Sequence, residues 1–231
     1  DDRTSRGLGD VYKRQGFRKD TETNFNNMLY GGEGIILVSG PTGSGKTTTL
    51  YSTLNKMEKP DINIVTIEDP IEFDLENINQ AQVNTKSGVT FASALRSILR
   101  QDPDIIMVGE IRDDETVELA IRAALTGHLV FSTIHTNDAA SGFARLLNWE
   151  IEPFLIASTV KGILAQRLVR RICENCRVEH EITDRESTLL KIDKKKYAKT
   201  FTGKGCLSCR NSGYRGRVGL YELLKVDEKV S

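Results

Sequence analysis

Long apolar runs are missing from this chain. Among its 231 residues none approaches the ~18 consecutive apolar positions a membrane-spanning helix requires, and no signal peptide is visible. The expectation is a protein that works in soluble form inside the cell, with peripheral attachment to a membrane complex left open. Net charge is missing too. Lys and Arg number 32, and so do Asp and Glu, so the whole chain lacks the basic excess that marks nucleic-acid binders. Aromatics are only 6% of residues, and no stripe interleaves them with basic side chains as single-strand binding needs. The cluster Lys191, Lys194, Lys195, Lys196 and Lys199 reads as a solvated face. Cysteine is scarce: there are 4, all of them in two C-x-x-C pairs.

Length and an apolar content of 39% suffice for one large or two modest domains. Residues 1–15 are polar and without periodicity; they read as a foreign segment or as the fragmentary end of an upstream domain, and are set apart from the fold. Residues 16–33 read as the end of a linker from a preceding domain. Residues 34–172 read as the main folded domain, 173–212 as a small cysteine module, and 213–231 as the start of a truncated C-terminal segment. The chain is expected to be a fragment.

What is present begins with Gly40-Pro41-Thr42-Gly43-Ser44-Gly45-Lys46-Thr47, followed by Thr48. This fits G-x-x-x-x-G-K-[ST], directly after the apolar run Ile35 to Val38 and before a helical pattern. Glycines let the backbone curl so that successive N–H groups face one anion, and the following helix adds its dipole. Lys46 reaches the β and γ phosphates in such a loop, and the Thr47 hydroxyl ligates Mg²⁺. An ordinary glycine-rich turn leaves Lys46 and Thr47 unexplained.

Short β-branched runs alternate with helical patterns from Gly34 onward. Ile35–Ser39, Ile62–Ile67, Ile105–Val108 and Leu129–Ile134 read as strands, with Ile78–Val83 as a further edge strand. Lys46–Glu58, Thr90–Gln101 and Asp114–Leu125 read as helices, as do Ser141–Asn148 and Pro153–Arg171. The alternation predicts an α/β fold, a mainly parallel sheet with helices on both faces, followed by a helical region and the cysteine module.

In a parallel sheet every strand ends on the same edge, where ligands bind. The phosphate loop, the box Glu68-Asp69-Pro70-Ile71-Glu72, Gly109-Glu110 and His135 each follow a strand, so all four are expected to converge. His128 precedes its strand, roughly 23 Å from His135 at ~3.3 Å per residue, and is assigned to packing. Glu110 is placed to accept a proton from the water attacking a γ-phosphate; the alternative is a surface glutamate capping a helix. His135 is placed against the γ-phosphate, with a satisfied loop histidine as its alternative. Glu68, Asp69 and Glu72 offer hard oxygens for Mg²⁺, or form a polar turn anchored by Pro70. Where an aspartate often holds the metal, this chain has Gly109, which leaves the metal's second contact open between the acidic box and Glu110.

Cys173, Cys176, Cys206 and Cys209 present four thiolates that suit a structural Zn²⁺ and leave no open position. The 29-residue spacer exceeds that of common zinc ribbons. The rival is a redox disulfide, disfavoured for an ATP-dependent protein in a reducing compartment.

Together these residues resemble the secretion ATPase family that powers type II secretion and type IV pilus assembly, over about Gly34 to Leu224. The resemblance rests on the phosphate loop, the acidic box, Leu95 to Asp104, and Gly109-Glu110-Ile111-Arg112-Asp113. It also includes Thr126-Gly127-His128 with Thr133 to Thr136, Ala165-Gln166-Arg167-Leu168, and Gly213-Tyr214-Arg215-Gly216-Arg217. It implies a RecA-like motor domain using ATP, working as a homohexamer in the cytoplasm, peripheral to the inner membrane and docked on platform and adaptor proteins. In that family the glutamate matching Glu110 is catalytic. The tetracysteine insert favours the assembly and export ATPases over retraction ATPases. The family's N-terminal domain, which contributes arginines, has no counterpart here, so weak turnover is expected of the chain alone; loss of an arginine finger reduces rate by about 10³ to 10⁵. Two other classes stand beside this reading: a RecA-like nucleic-acid translocase, and a nucleotide-gated scaffold without significant turnover.

Overall fold

The computed structural model describes residues 16–193, 196 and 199–226. The segment 1–15, Lys194 and Lys195 of the lysine cluster, and 227–231 lie outside the described residues. The chain divides into two compact units, one running to Arg167 and resuming at Gly219, the other Leu168–Val218.

In chain order the first unit contains α1 (Lys19–Leu29), β1 (Gly34–Ser39), α2 (Lys46–Met57), β2 (Ile64–Glu68) and β3 (Asn79–Gln82). It continues through α3 (Phe91–Ile98), β4 (Ile105–Val108), α4 (Asp114–Leu125), β5 (Leu129–Ile134), α5 (Ala139–Asn148), α6 (Pro153–Thr159) and the start of β6 (Val160–Ile172). After β7 (Arg177–Glu181), α7 (Asp184–Leu190) and β8 (Lys199–Gly203), it resumes in β9 (Tyr214–Lys225). The large sheet has the order β3-β2-β4-β5-β1-β6-β9. The ladders joining β3 to β2, β2 to β4, β4 to β5, β5 to β1 and β1 to β6 are all parallel.

All six residues of β1 are buried, as expected of a parallel strand covered on both faces. Alternation sorts its side chains. Ile36 and Val38 join Met107 and Phe131 beneath Phe25 and Leu29 of α1 and Leu50, Tyr51 and Leu54 of α2. Ile35 and Leu37 join Val108 and Val130 on the other face, under Leu95 of α3, Val117 and Ile121 of α4, and Ile156 of α6. Helix starts are locally encoded: Thr90 and Ser93 form a reciprocal capping box on α3, while Asp113 and Asp138 accept from the backbone N–H three residues on to cap α4 and α5.

The expected edge strand is β3. Three expectations change. The helix read over Pro153–Arg171 ends at Thr159, and the chain continues as the long strand β6. Proline does open a helix there, but the run from Gly162 to Ala165 is apolar on both faces where it lies against β1, and a buried strand and a buried helix share that pattern. The strand read from Ile62 starts at Ile64. Asn63 is diverted: its side-chain amide donates to the Gln101 and Asp102 carbonyls at 2.9 and 3.0 Å, holding the turn that ends the region after α3. That helix accordingly stops at Ile98.

In the second unit β7 and β8 form an antiparallel ladder, with Arg177 opposite Gly203. Gly203 and Gly213 touch backbone to backbone, so a Cβ on Gly203 would lie 2.0 Å from the Gly213 carbonyl oxygen. The unit's buried apolar and cysteine side chains, among the described residues, are Cys173, Ile182 and Cys209.

Burial predicts unequal costs for one substitution at two phenylalanines of the first unit. Phe131 is fully buried and Phe154 is 66% exposed. Phe131→Ala is expected to destabilise by about 3–5 kcal/mol and Phe154→Ala by no more than about 0.5 kcal/mol, as read from urea unfolding.

Candidate nucleotide site and cysteine cluster

β1 ends at Ser39 and the chain curls through Gly40–Gly45 into α2. Gly43 and Gly45 take left-handed φ of 75° and 87°, where a side chain would strain the backbone. No side chain caps α2, so its first N–H groups are left for an anion. Lys46 Nζ donates to the Gly40 and Pro41 carbonyls at 2.9 and 3.2 Å. Burial lowers its pKa below the ordinary lysine range, and nearby Glu110 opposes that shift. The Ser44 hydroxyl is buried without a hydrogen-bond partner. A cavity of about 470 Å³ opens over the loop, lined by Thr42 to Thr48 and by side chains from the ends of β2, β4 and β5. Loop, orphaned hydroxyl and uncapped helix fit a nucleotide phosphate.

The other side of the cavity is acidic. Glu110, its side chain only 16% exposed, follows β4; His135 Nε2 lies 3.5 Å from its Oε2. Arg112 pairs with the other Glu110 oxygen and reaches Asp69 at 3.8 Å. That hydrogen bond to Glu110 raises the Arg112 pKa further. The phosphate loop, acidic box, Glu110 and His135 therefore meet on one sheet edge. His128 does not: its Nδ1 contacts the Ala123 carbonyl at 2.8 Å, beyond the end of α4.

Glu68 stands apart from its two acidic neighbours. It is 2% exposed, and both its oxygens are engaged by protein donors: Tyr51 hydroxyl on one, Thr66 Oγ1 at 2.5 Å and Gln80 Nε2 at 3.0 Å on the other. Burial and this carboxylate push the Tyr51 phenol well above its ordinary pKa. The same hydroxyl accepts from the Glu72 N–H at 3.3 Å. Glu68 thus anchors the box from inside, while Asp69 and Glu72 are exposed at the cavity. Gly109 is explained by crowding: a Cβ there would sit 3.2 Å from the Ile67 carbonyl oxygen and 3.3 Å from Glu68 Cα. Tyr51, Thr66 and Gln80 carry no signal of this role in sequence beyond being a tyrosine and two polar residues inside otherwise apolar or strand-like runs, and Arg112 stands out there only as part of the run Gly109 to Asp113.

In the second unit the four sulfurs lie within 4.8 Å of one another. Cys173–Cys206, Cys176–Cys209 and Cys206–Cys209 are separated by 3.9, 3.8 and 3.7 Å. A tetrahedron with metal–sulfur bonds of about 2.3 Å has edges of about 3.8 Å, whereas a disulfide needs about 2.05 Å; no pair is bonded. The donor set and its spacing fit a tetrahedral metal, and the cysteines are described in the reduced state. Burial raises the Cys176 thiol to about 12 and pushes Cys209 up too, but at Cys209 the backbone N–H groups of Cys206 and Gly213, with the Cys206 and Cys176 sulfurs, outweigh it and bring the pKa to about 6. Such donors favour a thiolate.

The type II/IV secretion system protein family matches residues 5–231. The chain belongs to this family. The match begins inside the segment set apart by its composition. The type II secretion system ATPase E of Vibrio cholerae is 50% identical, over 93% of this chain and 43% of its own length. The type IV pilus assembly ATPase PilB of Thermus thermophilus is 48% identical over 93% of this chain and 24% of its own. The chain therefore spans less than half of these curated relatives. Among solved structures, the pilus retraction motor PilT with bound ADP is similar at TM-score 0.68 and 34% identity, covering 95% of this chain and 54% of that one. No helix among the described residues is long and apolar enough to cross a membrane.

The second unit also carries a pH signature. The Glu186 carboxyl is brought down to about 2 by the Thr183 N–H, the Thr183 hydroxyl and then His180. A carboxyl whose folded pKa lies below its ordinary 4.5 contributes stability that is complete above about 4.5 and is lost as pH falls toward 2. Carbon-detected NMR titration should place Glu186 near pH 2, and Thr183→Ala should move it upward. A Glu186 titrating at its ordinary value in both proteins would refute the assignment.

Proposed function

We propose that this family member is the motor portion of an ATPase that drives assembly of a pilus or secretion pseudopilus. The observation that supports it best is the meeting of the phosphate loop, Glu110 and His135 across one cavity. In this reading the N–H groups of Gly43 to Thr47 and the Lys46 ammonium hold the ATP phosphates, with Thr48 completing the loop's contact. Thr47 with Asp69 and Glu72 hold Mg²⁺, which would supply charge neutralisation between the β and γ phosphates. Glu110 orients the attacking water and takes its proton, as a carboxylate at hydrogen-bond reach can. His135 contacts the γ-phosphate from beside Glu110. Arg112 holds Glu110 toward Asp69 and sets its orientation.

Cys173, Cys176, Cys206 and Cys209 hold a structural Zn²⁺, which would supply the folding energy that the second unit's sparse core does not. The tetracysteine set favours extension over retraction. The working form is a homohexamer at the cytoplasmic face of the inner membrane, against platform and adaptor proteins, without a nucleic-acid substrate.

ATP turnover per subunit, measured against protein concentration, tests the catalytic half. The rate is expected to rise with concentration, and Glu110→Gln is expected to lower it about 10²- to 10⁴-fold with Mg·ATP binding retained. Turnover surviving in Glu110→Gln would sink the assignment. Metal analysis tests the other half: one zinc per chain is expected, lost in Cys176→Ser together with the protection of the remaining thiols from alkylation. Full alkylation of the unaltered folded chain would count against it.

A further inference from the structure

Ala165-Gln166-Arg167 ends the buried stretch of β6, and the proposed hydrolysis leaves it without a task. The parallel register sets Ala165 beside Ser39, so Gln166 arrives beside Gly40, where the phosphate loop begins. The approach is close: a Cβ on Gly40 would stand 2.3 Å from the Gln166 carbonyl oxygen. The Gln166 side chain is directed into the loop. Its Nε2 donates to the Ser44 carbonyl at 2.7 Å, and its Oε1 accepts from the Thr49 hydroxyl of α2 at 2.8 Å.

Chemistry fixes this orientation of the amide. A backbone carbonyl only accepts, so the NH₂ must face Ser44, and the oxygen is left for a hydroxyl that can donate. Gln166 is 2% exposed, and a buried amide is stable there only with both ends satisfied. The next side chain does related work: Arg167 donates to the carbonyl and the side-chain oxygen of Asn137, at 3.2 and 3.3 Å, two residues beyond His135.

We propose that Gln166 is a positioning residue for the phosphate loop, one that aims the Gly45 N–H at the ligand by clamping the Ser44 carbonyl. The carbonyl of Ser44 and the N–H of Gly45 belong to one trans peptide group and point in opposite directions. Drawing the carbonyl toward β6 therefore turns the N–H away from it, toward the cavity that Gly45 lines. Without the clamp the peptide is free to rotate and offer its oxygen to the phosphate, which repels it. The Thr49 contact ties the same clamp to α2, so loop and helix N-terminus keep one relative setting. This inference rests on the nucleotide reading above.

The test is equilibrium binding of Mg·ADP to the full chain and to two variants, at pH 8 and at pH 5.5. Gln166→Glu keeps the shape but faces the Ser44 carbonyl with an acceptor. It should weaken binding at least about tenfold at pH 8, and recover relative to the unaltered chain at pH 5.5, where a buried carboxyl protonates and donates again. Gln166→Met lacks a donor at either pH and should be weak at both. Thermal unfolding without nucleotide checks that each variant folds; should Gln166→Glu fail, Gln166→Met carries the comparison alone. Binding by both variants within twofold of the unaltered chain, or a Gln166→Glu defect that ignores pH, would overturn the clamp and leave the nucleotide reading standing. An unaltered chain that binds no Mg·ADP would instead overturn that reading, and the clamp with it.

Discussion

Parallel pairing of β1 with both of its neighbours is the constraint from which the site follows. β5 and β6 each run alongside β1 in the same direction, so the chain leaves all three strands at one edge. The loop after β1 gives Gly40 to Lys46, the loop after β5 gives His135, and the last buried residues of β6 give Gln166. None of these needs a long excursion to reach the others. β4, paired with β5, adds Glu110, and β2, paired with β4, adds the acidic box. The hydrogen bonds that hold the sheet therefore also assemble the chemistry, and the apolar faces of those strands keep the arrangement rigid from both sides.

What was legible in sequence was what is local or periodic. The phosphate loop is readable because its glycines, lysine and threonine act within one turn of chain. The edge positions of Glu110 and His135 are readable because strand direction alone decides them. β6 was misread because its hydrophobic pattern reports burial, and burial on both faces erases the period that separates strand from helix. The brace around Glu68 was invisible for a different reason. Tyr51, Thr66 and Gln80 come from α2, β2 and β3, and only the folded register brings their donors to one carboxylate. A run of acids looks alike in sequence, yet here one member is buried and saturated with donors while two face the cavity.

Charge averaged over the chain concealed a partition. From Leu168 to Val218 the sequence holds 13 Lys and Arg against 6 Asp and Glu, so the neutral total is the sum of a basic second unit and an acidic remainder. Net charge is informative per unit, and loses that information when units of opposite sign are pooled. The same unit shows why its cysteines matter to more than one atom's coordination. Among the described residues, two of its three buried apolar or cysteine side chains are themselves thiols, Cys173 and Cys209. A unit of this size is marginal on hydrophobic burial alone, and the sulfur cluster occupies the place of a core.

The glycine after β4 has consequences for the geometry of the whole edge. Because β4 passes so close to β2 at Gly109 that a side chain would press on the Ile67 carbonyl and the Glu68 backbone, that position cannot carry a carboxylate, and in the proposed reading the loop after β2 supplies the metal's. That loop is placed by the helix that also carries the phosphate loop. Thr47 and Tyr51 are four residues apart in α2 and share a face, so the residue that would touch the metal and the residue that anchors the acidic box are set by one rigid element. Tyr51 reaches Glu68 and the Glu72 N–H, and the separation between the glycine loop and the acidic loop is thereby fixed through α2. A phosphate-binding loop and an acidic loop that seem independent in sequence are, in the fold, two ends of one hydrogen-bonded span.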